Sequence, residues 1–444
     1  MNHTLLSVEE FASRRQRFAD QLPNASVALF PANGEITRSN DTEYPFCQNK
    51  NFYYLTGFNE PEALLVMVKD ASGNSTSTLF CREKDPLQEV WHGRRTGPEQ
   101  AQKQYGFDAA YINIEADKRL PEFFESADRV YFCFADQPAF EQQVFNWLTQ
   151  VKAGAKQGKK APAQLLDCSA QIAEMRLFKS SAELGIMRKA NVLSGLAHQR
   201  AMKQSAVGKF EYQIEAEMLH EFTLHGARYP AYGSIVAGAD NANILHYTDN
   251  QDALIDNSLL LIDAGGELAG YAADITRTFP VNGKFTDPQA TIYQLVLDSQ
   301  LAVIEAIKPG ANFAQLTDIA IRVLTEGLVE LGILTGDIEQ LIEDKACKDY
   351  FIHGLGHWLG LDVHDVGDYH IDENRRQLRA FEPGMVMTIE PGLYFPADCL
   401  EVEPKWRGIG VRIEDNIVVT EQGYENITVN SPKTIADIEA LMAK

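Results

Sequence analysis

The stretch LLLIDAGGELAGYAADITRTFP, residues 259–280, sets two carboxylates against runs of apolar side chains. Asp263 ends the run Leu259, Leu260, Leu261, Ile262, and Asp274 falls inside residues 270–280, so a turn over AGGELAG would make the two acids partners across a hairpin. Further along, Glu390 ends MVMTI (residues 385–389), and Glu414 follows Val411, Arg412 and Ile413 ahead of NIVVT (residues 416–420). Both acids read as lying inside strands. An ionised carboxylate in such a core is costly unless it is paired or bound to a cation. Two divalent ions would balance the four charges where the few nearby arginines could not.

One imidazole would complete the shell. His357 is the candidate, within FIHGLGHWLGLDVHDVG (residues 351–367), where His353, His357 and His364 stand among glycines that let a loop approach a reaction centre. Oxygen donors with a single nitrogen and no thiolate favour Mn2+ first, with Co2+ or Zn2+ as alternatives. Each residue alone also fits a plainer role. Asp263 could form a turn, Asp274 could be a solvated strand residue, Glu390 could begin the Pro391–Gly392 turn, and Glu414 could pair with Asp415 as exposed acids. A helical zinc-protease motif over His353 and His357 fails, because Gly354 stands where that motif needs Glu and two glycines weaken the helix.

Six stretches of the second half resemble the metal-dependent aminopeptidase P and prolidase group, of the creatinase-like pita-bread fold: ILHYTDN (244–250), LIDAG (261–265), GYAADITRTF (270–279), IHGLGHWLGLDVHDV (352–366), EPGMVMTIEPGLY (382–394) and GIGVRIED (408–415). RSNDTEYPFCQNKNFYYLTGFNEPE (38–62) and WHGRR (91–95) resemble the N-terminal region of bacterial aminopeptidase P. The resemblance implies an N-terminal creatinase-type α/β domain, serving oligomerisation and substrate access, followed by an α+β pita-bread metallopeptidase domain. It also implies that Asp263, Asp274, His357, Glu390 and Glu414 bind two metal ions, with Asp274 and Glu414 bridging.

Two such ions share a hydroxide, lowering the pKa of water from 15.7 toward ~7 beside a polarised carbonyl, and amide hydrolysis is the natural use. By resemblance Glu390 doubles as proton shuttle, His246, His353 and His364 contact substrate or steady the intermediate, and Arg412 stands behind the ligands. A histidine in a β-rich core is also commonly structural, and Arg412 could merely neutralise Asp415. The leaving group implied is a proline nitrogen, which lacks a hydrogen in the peptide. His353, Tyr394 and Arg412 would shape its pocket, with Trp91 from the N-terminal domain, in one reading a neighbouring subunit's. In the other reading Trp91 is a core aromatic. Asp41 would meet the substrate's amino group or an arginine, or is an exposed loop acid. Arg375, Arg376 and Arg379 do not align cleanly with the family.

The activity implied is removal of the first residue from peptides with proline second. An Xaa-Pro dipeptidase is the nearest alternative, and a noncatalytic pita-bread binding module is a different class that retention of all five ligands weighs against. Family oligomers imply a homo-oligomer, a dimer or tetramer.

The chain's 444 residues imply two domains. A net charge of -22 disfavours polyanionic partners such as nucleic acid. Six cysteines without CxxC spacing read as reduced thiols. The first 22 residues are amphipathic rather than continuously apolar, so neither a signal peptide nor a membrane anchor is expected, and the compartment expected is the cytoplasm.

Short apolar runs at 26–30, 63–68, 77–81 and 129–134 predict strands, and 140–151 a helix, giving an α/β domain over residues 1–174. KAGAKQGKKAP (152–162) reads as a surface loop. The catalytic domain is placed at 175–444. There Ser180 and Glu183 form a capping-box pattern for a helix running to about Gln204. Further helices are expected at 211–225, 288–307 and 313–331, each set followed by ligand-bearing strands, a hint of twofold duplication.

Overall fold

The structure, a computed structural model, describes residues 5–372, 374 and 376–443. Two compact units divide between Arg176 and Leu177. The first holds a six-stranded mixed sheet built from β1 (Ser26–Pro31), β2 (Leu64–Lys69), β3 (Ser75–Cys81), β4 (Ala109–Ile112), β5 (Arg129–Phe132) and β6 (Gln164–Asp167), in the order β4-β3-β2-β1-β5-β6. The β1–β2 and β2–β3 pairs are antiparallel, and the rest are parallel. Alternation drives the packing: Val27 and Leu29 of β1 join Val66, Phe80, Val130 and Trp147 in one apolar cluster. The helix expected at 140–151 spans Pro138–Ala153. The segment 152–162, read as a loop, therefore begins inside that helix and contains a 3-10 turn, Ala155–Gln157.

The second unit opens with α1 (Ser181–Gln204), started by a capping box in which Ser180 and Glu183 each satisfy the other's backbone N–H. Next come α2 (Glu211–Leu224) and a three-stranded antiparallel sheet of β7 (Ile235–Gly238), β8 (Leu259–Asp263) and β9 (Thr276–Pro280), β8 in the middle. A second pair, α3 (Asp287–Glu305) and α4 (Phe313–Glu330), precedes β10 (Val386–Ile389), β11 (Gly392–Phe395), β12 (Ile409–Arg412), β13 (Asp415–Thr420) and β14 (Gly423–Asn426). Strands β10, β13 and β14 form another antiparallel sheet centred on β13, and β11 pairs with β12. A helix pair followed by a three-stranded antiparallel sheet thus occurs twice. One continuous core, including Ile262, Phe279, Met387, Val411 and Ile417, lies between helices and sheets.

Three strand expectations need correction. Strands β8 and β9 are the two arms of the expected hairpin, but the ladder closes at Asp263 opposite Thr276, leaving Asp274 just outside β9. The connection is no simple turn. Gly266–Leu268 and Tyr271–Ala272 pair with each other and fold out to join Tyr229–Pro230. Gly265 permits this, because a Cβ there would stand 1.7 Å from the Ala273 carbonyl oxygen. Glu390 comes one residue after β10, and Glu414 sits in the break between β12 and β13. Inside a strand, successive side chains alternate between faces. At strand ends that constraint is lifted, and acids from different strands can converge.

Candidate active site and metal centre

Ligand atoms of Asp274, His357 and Glu414 lie within 4.8 Å of one another. His357 rides on the glycine-rich segment lying against β10: its N–H is hydrogen-bonded to Thr388 Oγ1 at 3.0 Å, and its carbonyl accepts from the Thr388 N–H. Gly356 makes that approach possible, since a Cβ there would be 2.0 Å from the Thr388 carbonyl oxygen. The imidazole Nδ1 lies 2.9 Å from the Trp358 carbonyl, so in the neutral ring Nδ1 carries the proton and Nε2 is the nitrogen left to bind a metal. Nε2 faces Asp274 Oδ2 at 3.4 Å and Glu390 Oε1 at 3.6 Å. These gaps exceed an ordinary hydrogen bond, yet metal bonds of about 2.1 Å place neighbouring ligand atoms about 3 to 3.5 Å apart. The donor set fits divalent cations on this spacing.

Charge leads the same way. Asp274 and Glu414 are buried, and Asp263 and Glu390 nearly so, which excludes the plainer readings of a solvated strand residue and an exposed acidic pair. In the protein alone, burial pushes Glu414 well above the ordinary carboxylate range, with Asp274 adding repulsion, and pushes Glu390 up to about 7. Asp263 is raised by burial as well. For Asp274 burial is outweighed by the facing His357 imidazole, which holds it below the ordinary carboxylate range, while the same pairing lifts His357 to about 9 against its own burial. A cation reverses these penalties by favouring every ionised carboxylate and the neutral imidazole.

Neighbours fix the ligands in place. Tyr232 Oη lies 2.6 Å from Asp263 Oδ1 and 2.5 Å from Asp274 Oδ1. Thr276 Oγ1 donates to Glu414 Oε2 at 2.7 Å. Asn416 binds the Asp274 backbone twice, accepting its N–H and donating to its carbonyl. None of these three stood out in the sequence, where a Tyr, a Thr and an Asn beside ordinary apolar residues carry no spacing signal.

Arg412 corrects another reading. Its guanidinium pairs with Asp263 Oδ2 at 2.7 Å, whereas Asp415 is neutralised by Arg277 at 2.7 Å and Lys433 at 2.5 Å. From Arg412 a polar chain runs on: Nη1 donates to Tyr394 Oη at 2.9 Å, and Tyr394 Oη lies 2.8 Å from His353 Nε2. His353 Nδ1 faces the Gly354 carbonyl at 2.7 Å. Burial, reinforced by Arg412, lowers His353 to about 3. It is therefore neutral, with Nδ1 donating to the carbonyl and Nε2 accepting the tyrosine proton.

His246 and His364 face the same cavity of about 260 Å³ as the five ligands, and the His364 ring packs on His357 with centroids 4.1 Å apart. Trp91 and Asp41 belong to the first unit. Trp91, on Pro86–His92, is 81% exposed, which rules out the core-aromatic reading. Asp41 is exposed in the turn between Thr37–Ser39 and Thr42–Glu43. The Arg379 guanidinium donates to the Asp368 carbonyl and the Arg376 N–H to the Asp372 carboxylate, while Arg375 lies outside the described residues.

Residues 185–421 match the family model of "Metallopeptidase family M24", and residues 11–131 match "Aminopeptidase P, N-terminal domain". The chain is 46% identical to the Xaa-Pro aminopeptidase of Escherichia coli K12, over 98% of each chain. It superposes on the solved proline aminopeptidase P II from Yersinia pestis with TM-score 0.96 at 48% identity, covering 99% of this chain and 100% of that one. An E. coli aminopeptidase P carrying a glutamate-to-alanine substitution, in complex with substrate, is matched with TM-score 0.96 at 46% identity, covering 98% of both chains.

Proposed function

We propose, since this chain belongs to metallopeptidase family M24, that it is an Xaa-Pro aminopeptidase: it hydrolyses the first peptide bond of substrates whose second residue is proline and releases the first amino acid. The observation that carries this reading is the convergence, in one cavity, of five metal-type donors with His353 and Arg412, which Tyr394 links from behind. Its bearer resembles Xaa-Pro aminopeptidases over nearly its whole length. No helix among the described residues is long and apolar enough to cross a membrane.

Asp263, Asp274, His357, Glu390 and Glu414 would hold two divalent ions, Mn2+ first, with Asp274 and Glu414 bridging. When bound, such ions supply Lewis acidity, lowering the pKa of water toward ~7 and polarising the scissile carbonyl. Glu390, with Oε2 3.8 Å from His353 Nδ1 and Oε1 3.6 Å from His357 Nε2, would take a proton from the attacking water and return it to the leaving nitrogen. That proton is indispensable, because the prolyl nitrogen would otherwise have to leave as an amide anion. His246 and His364 line the cavity where the carbonyl oxygen gains charge and would donate to it. His353, Tyr394 and Arg412, locked to one another, would shape the wall against the proline ring. Trp91 and Asp41 would add substrate contacts from the N-terminal unit, or from that of a second subunit in a homo-oligomer, a dimer or tetramer. Six free cysteines agree with a reducing cytoplasm.

The test compares Xaa-Pro-Yaa, Xaa-Pro and Xaa-Ala-Yaa peptides, each after chelation and after return of Mn2+. Cleavage of the proline tripeptide alone, lost on chelation and restored by the ion, is expected. Preference for the dipeptide would make the protein an Xaa-Pro dipeptidase, and equal cleavage of the alanine tripeptide would remove the proline pocket.

A further inference from the structure

His246 stands in a turn that belongs to no helix or strand, yet it must hold a position in the cavity. The segment around it takes left-handed backbone at both ends. Ala239 has φ 51°, which an alanine keeps only when its surroundings enforce it, and Asn250 has φ 49°, which asparagine tolerates. One side chain reaches both ends and the middle. Glu211, the first residue of α2, is 0% exposed. Its Oε1 accepts from the Gly238 N–H at 2.7 Å and Asn241 Nδ2 at 3.0 Å, and its Oε2 accepts from Tyr247 Oη at 2.8 Å and the Asp252 N–H at 2.9 Å. Its own N–H donates to the Asp252 carbonyl at 2.9 Å.

We propose that Glu211 is the positioning residue for His246, a single buried carboxylate that closes the segment 238–252 into one shape and so aims the imidazole into the cavity. The inference rests on the reading that His246 acts on substrate. All four partners are uncharged donors, so the carboxylate serves as a template for the loop. Only a carboxylate suits it: each oxygen takes two donors, whereas a glutamine would turn an NH2 against one of the two donor pairs. Tyr247, the residue after His246, is the link through which Glu211 acts most directly. Asn250 provides a separate brace to β7, accepting from the Val236 N–H and donating to the Ser234 carbonyl. Loss of Glu211 would therefore loosen the loop around His246 without unfolding the sheet.

The experiment is a double-mutant cycle between Glu211→Gln and His246→Ala in the full-length, Mn2+-loaded enzyme, reading kcat, KM and metal content on an Xaa-Pro-Yaa peptide. Misplacing a reacting group by about 1 Å costs up to ~10²-fold. Glu211→Gln is accordingly expected to lower kcat about 10-fold or more, with KM and metal content nearly unchanged. In the double variant its effect should vanish, leaving kcat at the His246→Ala value. Tyr247→Phe removes one donor only and should show a smaller loss with the same non-additivity, which carries the test if Glu211→Gln does not fold. Wild-type kcat in the Glu211 and Tyr247 variants while His246→Ala is impaired, or losses that multiply with that of His246→Ala, overturn the inference alone. Wild-type kcat in His246→Ala overturns both it and the role given to His246.

Discussion

Chelating the ions should make the protein's stability fall as pH rises, and the share that Glu390 contributes can be separated from that of the other buried acids. In the ion-free protein burial holds its carboxyl at about 7 against an ordinary value of 4.5. A raised native pKa means that the folded chain keeps a proton the unfolded chain has released. The corresponding stability is complete below about pH 4.5 and is lost as pH climbs through about 7. At about 1.4 kcal/mol per pH unit the full displacement is worth about 3 kcal/mol, of which about 2 to 3 kcal/mol falls between pH ~5 and ~8. Glu390→Gln cannot titrate and supplies the reference. Urea unfolding of chelated wild type and chelated Glu390→Gln at those two pH values should show wild type losing about that amount relative to the variant on going to the higher pH. Added Mn2+ should cancel the loss in wild type, since binding to the folded state favours the ionised carboxylates. Chelated proteins that track each other within ~1 kcal/mol across this range would refute the premise that these acids are held at a cost only a cation relieves.

Much of the site was legible because buried charge is expensive. Asp263 and Glu390 each close an apolar run, and although a turn role fitted each alone, an acid at that place in all the runs together called for a cation. The capping box at Ser180 and Glu183 marked the start of α1 because two orphan N–H groups need acceptors there. What stayed hidden depends on distance in space. The fold-out after β8 could not be read from AGGELAG, since Gly265 is required by a carbonyl eight residues away. Arg412 has Asp415 as a near neighbour in sequence and Asp263 as its partner across two strands, and the sequence offered only the first. Strands β4 and β6, AAYI and QLLD, lack fully buried residues, so their apolar signal is weak. Tyr232 reaches two ligands through a phenol that no spacing rule predicts.

Three further outcomes bear on the site and its frame. Asp274→Asn or Glu414→Gln should abolish binding of two ions while the fold persists, and elemental analysis that still finds both ions in an active variant would cancel the bridging assignment. Glu390→Ala should lower kcat far more than His246→Ala, because it removes a ligand and the proton carrier together, the latter alone being worth ~10²- to 10⁴-fold; equal, modest losses would remove Glu390 from proton transfer. The last concerns the loop that carries His364. Lys179 Nζ lies 3.1 Å from Asp365 Oδ2, both side chains being 1% exposed, and it also donates to the Leu177 carbonyl. Gly360 leaves room for this pair, since a Cβ there would be 2.0 Å from Asp365 Oδ2. Lys179→Met takes the Lys179 ammonium from the buried carboxylate and should cost about 3 to 5 kcal/mol in denaturant unfolding. Lys179→Met/Asp365→Leu removes both charges and should recover a large part of that loss, because an apolar pair of similar volume escapes the desolvation penalty. If the single change costs under ~1 kcal/mol, or the double one is no better than the single, the pair is not what anchors the segment between His357 and Gly367.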